Sequence, residues 1–240
     1  MNNKTFRVLS IDFDYFQNAN EKALMEYPDG IDLQPSLSQQ VWKGKYDFKP
    51  SADLIKTVTC KINEMYFIEN VFMNNCKHDI PVLACFSHEY IYGFIQEQFS
   101  TSGAEKLEIV NVDFHADYYN DNVKNDTQDC GNWCYFIKQE IPGTKITWIA
   151  PENYEELYEE KDYSGIVKIT TDLSILKQHD YDAVFLCRSD NWLPPHLDNH
   201  FQQFLHFFYS PFRKRSSISF HFTPPCVEAD TPCQINPAFS

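Results

Sequence analysis

No Cys-x-x-Cys pair occurs in this chain, although eight cysteines do. Cys60, Cys76, Cys85, Cys130, Cys134, Cys187, Cys226 and Cys233 are scattered, which suits reduced, mostly buried thiols better than a disulfide scaffold. No apolar run approaches membrane-spanning length, and Met1-Asn2-Asn3-Lys4 opens no signal-peptide core. A soluble, cytoplasmic protein with no membrane partner is therefore expected. A Pro/Gly/Ser linker and an internal repeat are also missing. Residues 1–240 are expected to form a single domain, with an irregular tail over about 223–240 where four prolines fall. Basic residues are few: 20 Lys and Arg stand against 34 Asp and Glu, a formal charge of −14. That balance argues against a nucleic-acid partner and is compatible with a basic substrate. The apolar fraction of 43% and aromatic fraction of 16% exclude a disordered chain.

Along the chain, short apolar runs alternate with helical patterns. Phe6 to Ile11, Val82 to Phe86, Ile109 to Val112, Ile146 to Ala150, Ile166 to Ile169 and Ala183 to Cys187 predict strands. Residues 17–50, with Pro28-Asp29-Gly30, Pro35 and Pro50, predict a long loop or lid with short helical pieces. A helix capped by Ser51 is expected to run to about Asn74, with Leu54, Val58, Ile62, Met65, Ile68 and Phe72 as its buried stripe. Further helices are expected over Glu89–Phe99, from Trp133 to Lys138, over Pro151–Glu160, and from Pro195 to about Tyr209. Ser217 to Phe222 suggests an edge strand. The alternation implies a mostly parallel sheet covered on both faces, a three-layer α/β/α fold.

Polar residues gather where three of these strands end. Asp12-Phe13-Asp14 follows the first strand, His88 follows Phe86, and Asp113-Phe114-His115-Ala116-Asp117 follows Val112. Residues two apart on a strand share a face, so each pair can reach one point. In a parallel sheet all three ends lie along one edge, where such folds bind ligands. Burying carboxylates and imidazoles together is costly unless a cation sits among them, and no Lys or Arg interleaves these residues. Asp12, Asp14, His88, Asp113, His115 and Asp117 are thus candidate metal ligands. A donor set of oxygen and nitrogen without thiolate favours manganese over structural zinc. Four carboxylates and two imidazoles suit two ions about 4 Å apart.

These residues resemble the ureohydrolase (arginase) superfamily, and most closely its peptide arginase branch, which converts arginine within ribosomally made peptides to ornithine. The resemblance rests on Val8-Leu9-Ser10-Ile11-Asp12-Phe13-Asp14-Tyr15-Phe16, Ser87-His88-Glu89, Asn111 to Asp117, Gly131-Asn132-Trp133, and Cys187-Arg188-Ser189-x-x-Trp192-x-Pro194-Pro195. It implies an arginase/deacetylase-like fold and two Mn2+ ions. One ion would take His88, Asp113, Asp117 and Asp12, the other His115, Asp14 and the bridging Asp113 and Asp12. It also implies hydrolysis of a guanidinium in an arginine-containing precursor peptide to urea and peptidyl ornithine, with Asp113, His115 and Asp12 acting through the ions. The alternatives are a small-molecule guanidine or amidine hydrolase of the same fold, and a binding module without turnover.

Two departures from that pattern stand out. The Asp-x-Asp strand comes late in arginases and opens this chain, so a permuted strand order is expected. The arginase Gly-Asn-x-His signature is here Gly131-Asn132-Trp133-Cys134, without the histidine. Asn132, Trp133 and Asp190 are candidate substrate-binding residues, Asp190 as a carboxylate to clamp the guanidinium. Tyr15, Phe16, Tyr118, Tyr119, Trp133 and Trp192 lie near the expected mouth and suit a peptide in an open groove. Cys130 and Cys134 are expected to be buried thiols, and His196 and His200 surface histidines on a helix face. The acidic run from Glu152 to Asp162 is expected to be a solvated face, and Arg213-Lys214-Arg215 a helix-end cluster.

Overall fold

The computed structural model describes residues 4–28, 34–75, 80–118, 127–157, 167–209 and 218–221. Among the described residues nine strands form: β1 (Thr5–Asp12), β2 (Gln17–Asn18), β3 (Thr59–Cys60), β4 (Val82–Cys85), β5 (Lys106–Val112), β6 (Lys145–Ile149), β7 (Lys168–Thr170), β8 (Ala183–Cys187) and β9 (Ile218–His221). Seven of them make one sheet in the order β7-β6-β5-β1-β8-β4-β9, and every neighbouring pair in it is parallel. The strands named in advance are all present, with shifts of up to three residues at their ends.

Helices cover both faces. Along β1, Phe6 and Val8 enter one core while Leu9 and Ile11 enter the other, because successive residues of a strand alternate sides. The first core packs against α5 (Ile91–Ser102) and α6 (Trp133–Glu140), through Ile91, Phe94, Ile95, Trp133 and Ile137. The second packs against α4 (Ile62–Asn75) and α8 (Asp198–Tyr209), through Met65, Ile68, Phe72, Phe201, Phe204 and Phe208. The result is a three-layer α/β/α arrangement. Among the described residues no helix is long and apolar enough to cross a membrane.

Two expectations need correction. The helix placed from Ser51 to Asn74 is two helices, α3 (Lys49–Ile55) and α4. Between them, Thr59 and Cys60 pair antiparallel with Asn18 and Gln17, and Lys61 donates its backbone N–H to the Phe16 carbonyl at 2.6 Å. The β-branched run Thr57-Val58-Thr59 accepts this strand geometry, and the pairing overrides the helical spacing. Ser51 does not cap; its hydroxyl donates to Glu26 at 2.5 Å. Residues 17–50 also hold more helix than expected, with α1 (Glu21–Leu24) and a long α2 (Pro35–Asp47) that has proline in its first turn. Only Ser38 and Trp42 of α2 are buried, so its sequence shows little amphipathic pattern. Tyr119, the basic cluster 213–215, the tail over 223–240, Cys76, Cys226, Cys233 and the acidic run beyond 157 fall outside the described residues.

Candidate metal centre

The sheet register assembles the centre. β1 lies between β5 and β8, with Ile11 opposite Val112 and Asp12 opposite Cys187. Asp12 and Asp113 therefore leave adjacent strands at the same level, although about a hundred residues separate them. On the far side of β8, Cys85 of β4 also lies opposite Cys187, which brings His88 to the same edge in the 3-10 turn His88–Tyr90. The chain's first strand thus occupies the middle of the sheet, and the Asp-x-Asp pair meets its partners despite its early place.

His88 Nδ1 lies 2.8 Å from Asp117 Oδ2, 3.0 Å from Asp113 Oδ2 and 3.3 Å from Asp12 Oδ2. Across Asp113, His115 Nδ1 lies 3.0 Å from Asp14 Oδ2 and 3.9 Å from Asp113 Oδ1. Two sets of donor atoms result, Asp12–His88–Asp113 and Asp14–Asp113–His115, each set within 4.8 Å. They share Asp113, which turns one oxygen to each. Despite these short distances, neither His88 Nδ1 nor Asp14 Oδ2 is in hydrogen-bond geometry with any partner. Orphaned buried atoms are costly, and a cation at each set would satisfy them. The donor chemistry therefore fits a metal site.

Further contacts orient these side chains. Ser10 Oγ lies 2.7 Å from His88 Nε2; with the hydroxyl accepting, Nε2 carries the ring proton and Nδ1 is left to face the carboxylates. Phe185 stacks on the same ring with centroids 5.4 Å apart. Asn111 donates to Asp113 Oδ2 at 3.0 Å, and the His115 N–H to Asp113 Oδ1 at 2.7 Å. The N–H groups of Asp14 and Phe114 donate to Asp12 and Asp14. Asp117 has φ 49°, a left-handed conformation that aspartate tolerates better than most residues. It accepts the indole N–H of Trp133 at 2.5 Å.

Electrostatics agree with a site built for positive charge. Burial, followed by the charges of Asp12 and Asp113, lifts Asp14 well above the usual carboxylate range. Burial and then Asp113 do the same to Asp117. Burial also raises Asp113, but the close approach and charge of His88, with His115, outweigh it and leave Asp113 below the ordinary value. Burial opposes an imidazolium at His88, yet Asp117, Asp113 and Asp12 overcome this and hold its pKa well above normal. The raised carboxylates and the raised imidazole both reflect a surplus of buried negative charge that a cation would relieve.

The candidate substrate-binding residues are buried. Asn132 accepts from the Asp129 N–H and donates to the Thr127 carbonyl, so it shapes the turn before α6. Trp133 touches the centre through Asp117. Asp190 is tied by Oδ1 to Arg188 Nη1 at 3.0 Å, while its Oδ2 is buried without a partner. Burial raises its pKa, Arg188 opposes this, and the charge of Asp12 adds to the rise. Of the aromatics expected at a groove, Tyr15, Phe16 and Trp133 are core, and only Tyr118 and Trp192 are half-exposed. Trp192 lies with its ring 4.6 Å from that of His115. Cys130 and Cys134 are buried, as expected. His196 is not a surface histidine but half-buried and hydrogen-bonded. Sequence reasoning did not anticipate the role of Asn111 or the Arg188–Asp190–Asp198 cluster. A buried-strand asparagine two residues before Asp113 was the available signal for the first.

Comparison of the chain with family models, with curated proteins and with solved structures returned no match.

Proposed function

We propose that the protein is a dinuclear metal-dependent amidinohydrolase that converts arginine within a peptide to ornithine, releasing urea. One observation carries this reading: two donor sets share Asp113, in the pattern of adjacent ions bridged by one carboxylate. His88, Asp117 and Asp12 would hold one ion with Asp113; His115, Asp14 and Asp12 would complete the other. Manganese bound there supplies Lewis acidity and a water activated at neutral pH.

The chain's own residues would do the rest. Asp190 Oδ2, an acceptor buried near Asp12, suits the N–H groups of a guanidinium and would orient its carbon towards the centre. The −14 charge works in the same direction at long range, attracting basic peptides and repelling a free carboxylate. Cys134 is buried, and burial with the charge of Asp117 pushes its thiol well above its ordinary pKa, so no thiolate nucleophile is at hand.

The test offers an arginine-containing peptide and free arginine, at equal concentration, to the manganese-loaded protein and scores ornithine by mass and urea by colour. The peptide should turn over faster, and Asp190→Asn should weaken it mainly through KM. Faster turnover of the free amino acid would overturn the peptide assignment. Metal binding with no urea from either would support a binding module instead.

A further inference from the structure

Beneath the candidate ligands the sheet carries a row of side chains at one level. Asn111 of β5 lies opposite Trp148 of β6 and Ser10 of β1, and Ser10 lies opposite Phe185 of β8. Trp148 and Phe185 belong to the core that also takes Val8 and Ile109. Residues two apart on a strand share a face, so Ser10 and Asn111 point into the same layer. All four are fully buried. Ser10 therefore sits between a phenyl ring and an amide.

Asn111 is only half satisfied. Its Nδ2 donates to Asp113 Oδ2 at 3.0 Å, and a flip of the amide would set oxygen against carboxylate. Among the described residues no donor reaches its Oδ1 in hydrogen-bond geometry, which is costly for a buried acceptor. Trp148 cannot supply one, because its indole N–H goes to the Asp113 carbonyl at 2.9 Å. The donor beside it is the Ser10 hydroxyl, one strand spacing away, about 4.8 Å.

Ser10 Oγ also meets His88 Nε2 at 2.7 Å, and that contact alone has no fixed direction, since a hydroxyl both donates and accepts. If it donates, the ring proton moves to Nδ1, the nitrogen that faces Asp12, Asp113 and Asp117. If it accepts, its own proton needs an acceptor, and Phe185 on the other side offers none. We propose that Asn111 is a positioning residue: by taking the Ser10 proton it keeps the His88 ring proton on Nε2 and leaves Nδ1 open to a cation. The chain of contacts then closes on itself, from His88 through Ser10 and Asn111 to Asp113. This role rests on the metal-centre reading, whereas the chain of hydrogen bonds is present without any metal.

Nuclear magnetic resonance of the full chain, with isotope-labelled histidine, tests this on the His88 Nε2–H proton. It is read in the metal-free protein and again after loading with zinc, which is diamagnetic. In the native chain this proton should exchange slowly with solvent. Asn111→Leu keeps the bulk but not the acceptor, and should speed exchange about fivefold, as for one lost hydrogen bond; Asn111→Ala takes its place if leucine does not fold. Asn111→Asp keeps an acceptor while losing the donor to Asp113, so exchange should stay slow. Fast exchange in both the apolar and the aspartate variant, or in neither, would overturn the proposal. Manganese affinity gives the second measure. Asn111→Leu should weaken it several-fold more in the native background than in Ser10→Ala, where the route through Ser10 is already gone. Equal losses in the two backgrounds would also overturn the proposal. If the metal-free protein behaves as stated but the native chain binds no manganese, the dinuclear reading fails and the Asn111–Ser10–His88 chain stands.

Discussion

Replacing Ser10 by alanine probes how the centre is aimed. The Ser10 hydroxyl is the polar partner of His88 Nε2, at 2.7 Å and fully buried. Without it the buried Nε2–H has no acceptor, a loss of about 1–3 kcal/mol. The ring can avoid that loss by moving its proton to Nδ1, the nitrogen that faces Asp12, Asp113 and Asp117. Either way a cation must compete with a misplaced proton, since Phe185 stacking holds the ring plane but not its tautomer. The expected result is metal affinity weakened by roughly 10–100-fold, with the fold intact. Competition titration of chelator-stripped protein with manganese measures it, and far-ultraviolet circular dichroism checks the fold. Ser10→Thr keeps the hydroxyl and should recover most of the affinity. Unchanged affinity in Ser10→Ala, or an equal loss in Ser10→Thr, would refute the reasoning.

Cys134→Ala should keep most activity and cost about 1 kcal/mol of stability from the lost buried group, checked by urea release and denaturant titration; abolished turnover in a folded variant would instead point to a covalent mechanism. Glu69 on α4 is half-buried, and burial pushes its carboxyl up to about 7. Its folded pKa exceeds its unfolded one, so its contribution is present below the ordinary glutamate value and is lost as pH rises through about 7. Glu69→Gln should therefore raise the melting temperature more at about pH 8 than at about pH 5, by a modest amount because solvent screens the group.

The gathering of these Asp and His residues was legible in the sequence because its logic is local. The strand period expected for each pair does not hold, since Asp14 lies in the 3-10 helix Phe13–Phe16 and Asp113 to His115 in the turn beyond β5; what was legible is that a parallel sheet sends every such strand end to one edge. Placing Asp12 beside Asp113 also needed the sheet order, which put β1 in the middle. What escaped depends on contacts distant in the chain. The break between α3 and α4 arises where Thr59 pairs with Asn18, and no spacing of apolar residues records that pairing. Helix α2 was obscured because its hold on the fold is polar, through Ser38, Trp42 and Tyr46. Trp133 stood out as a candidate for substrate, but its N–H serves Asp117. From sequence, a tryptophan one residue from a site motif gives no sign of which way its ring turns.

The central claim is that Asp113 binds two ions at once. Elemental analysis of chelator-stripped protein reloaded with manganese and freed of excess tests it most directly. The native chain should retain about two ions, and Asp113→Asn, folded by circular dichroism, should retain neither. A chain that binds no manganese, or that holds a single zinc through its cysteines, would contradict the account.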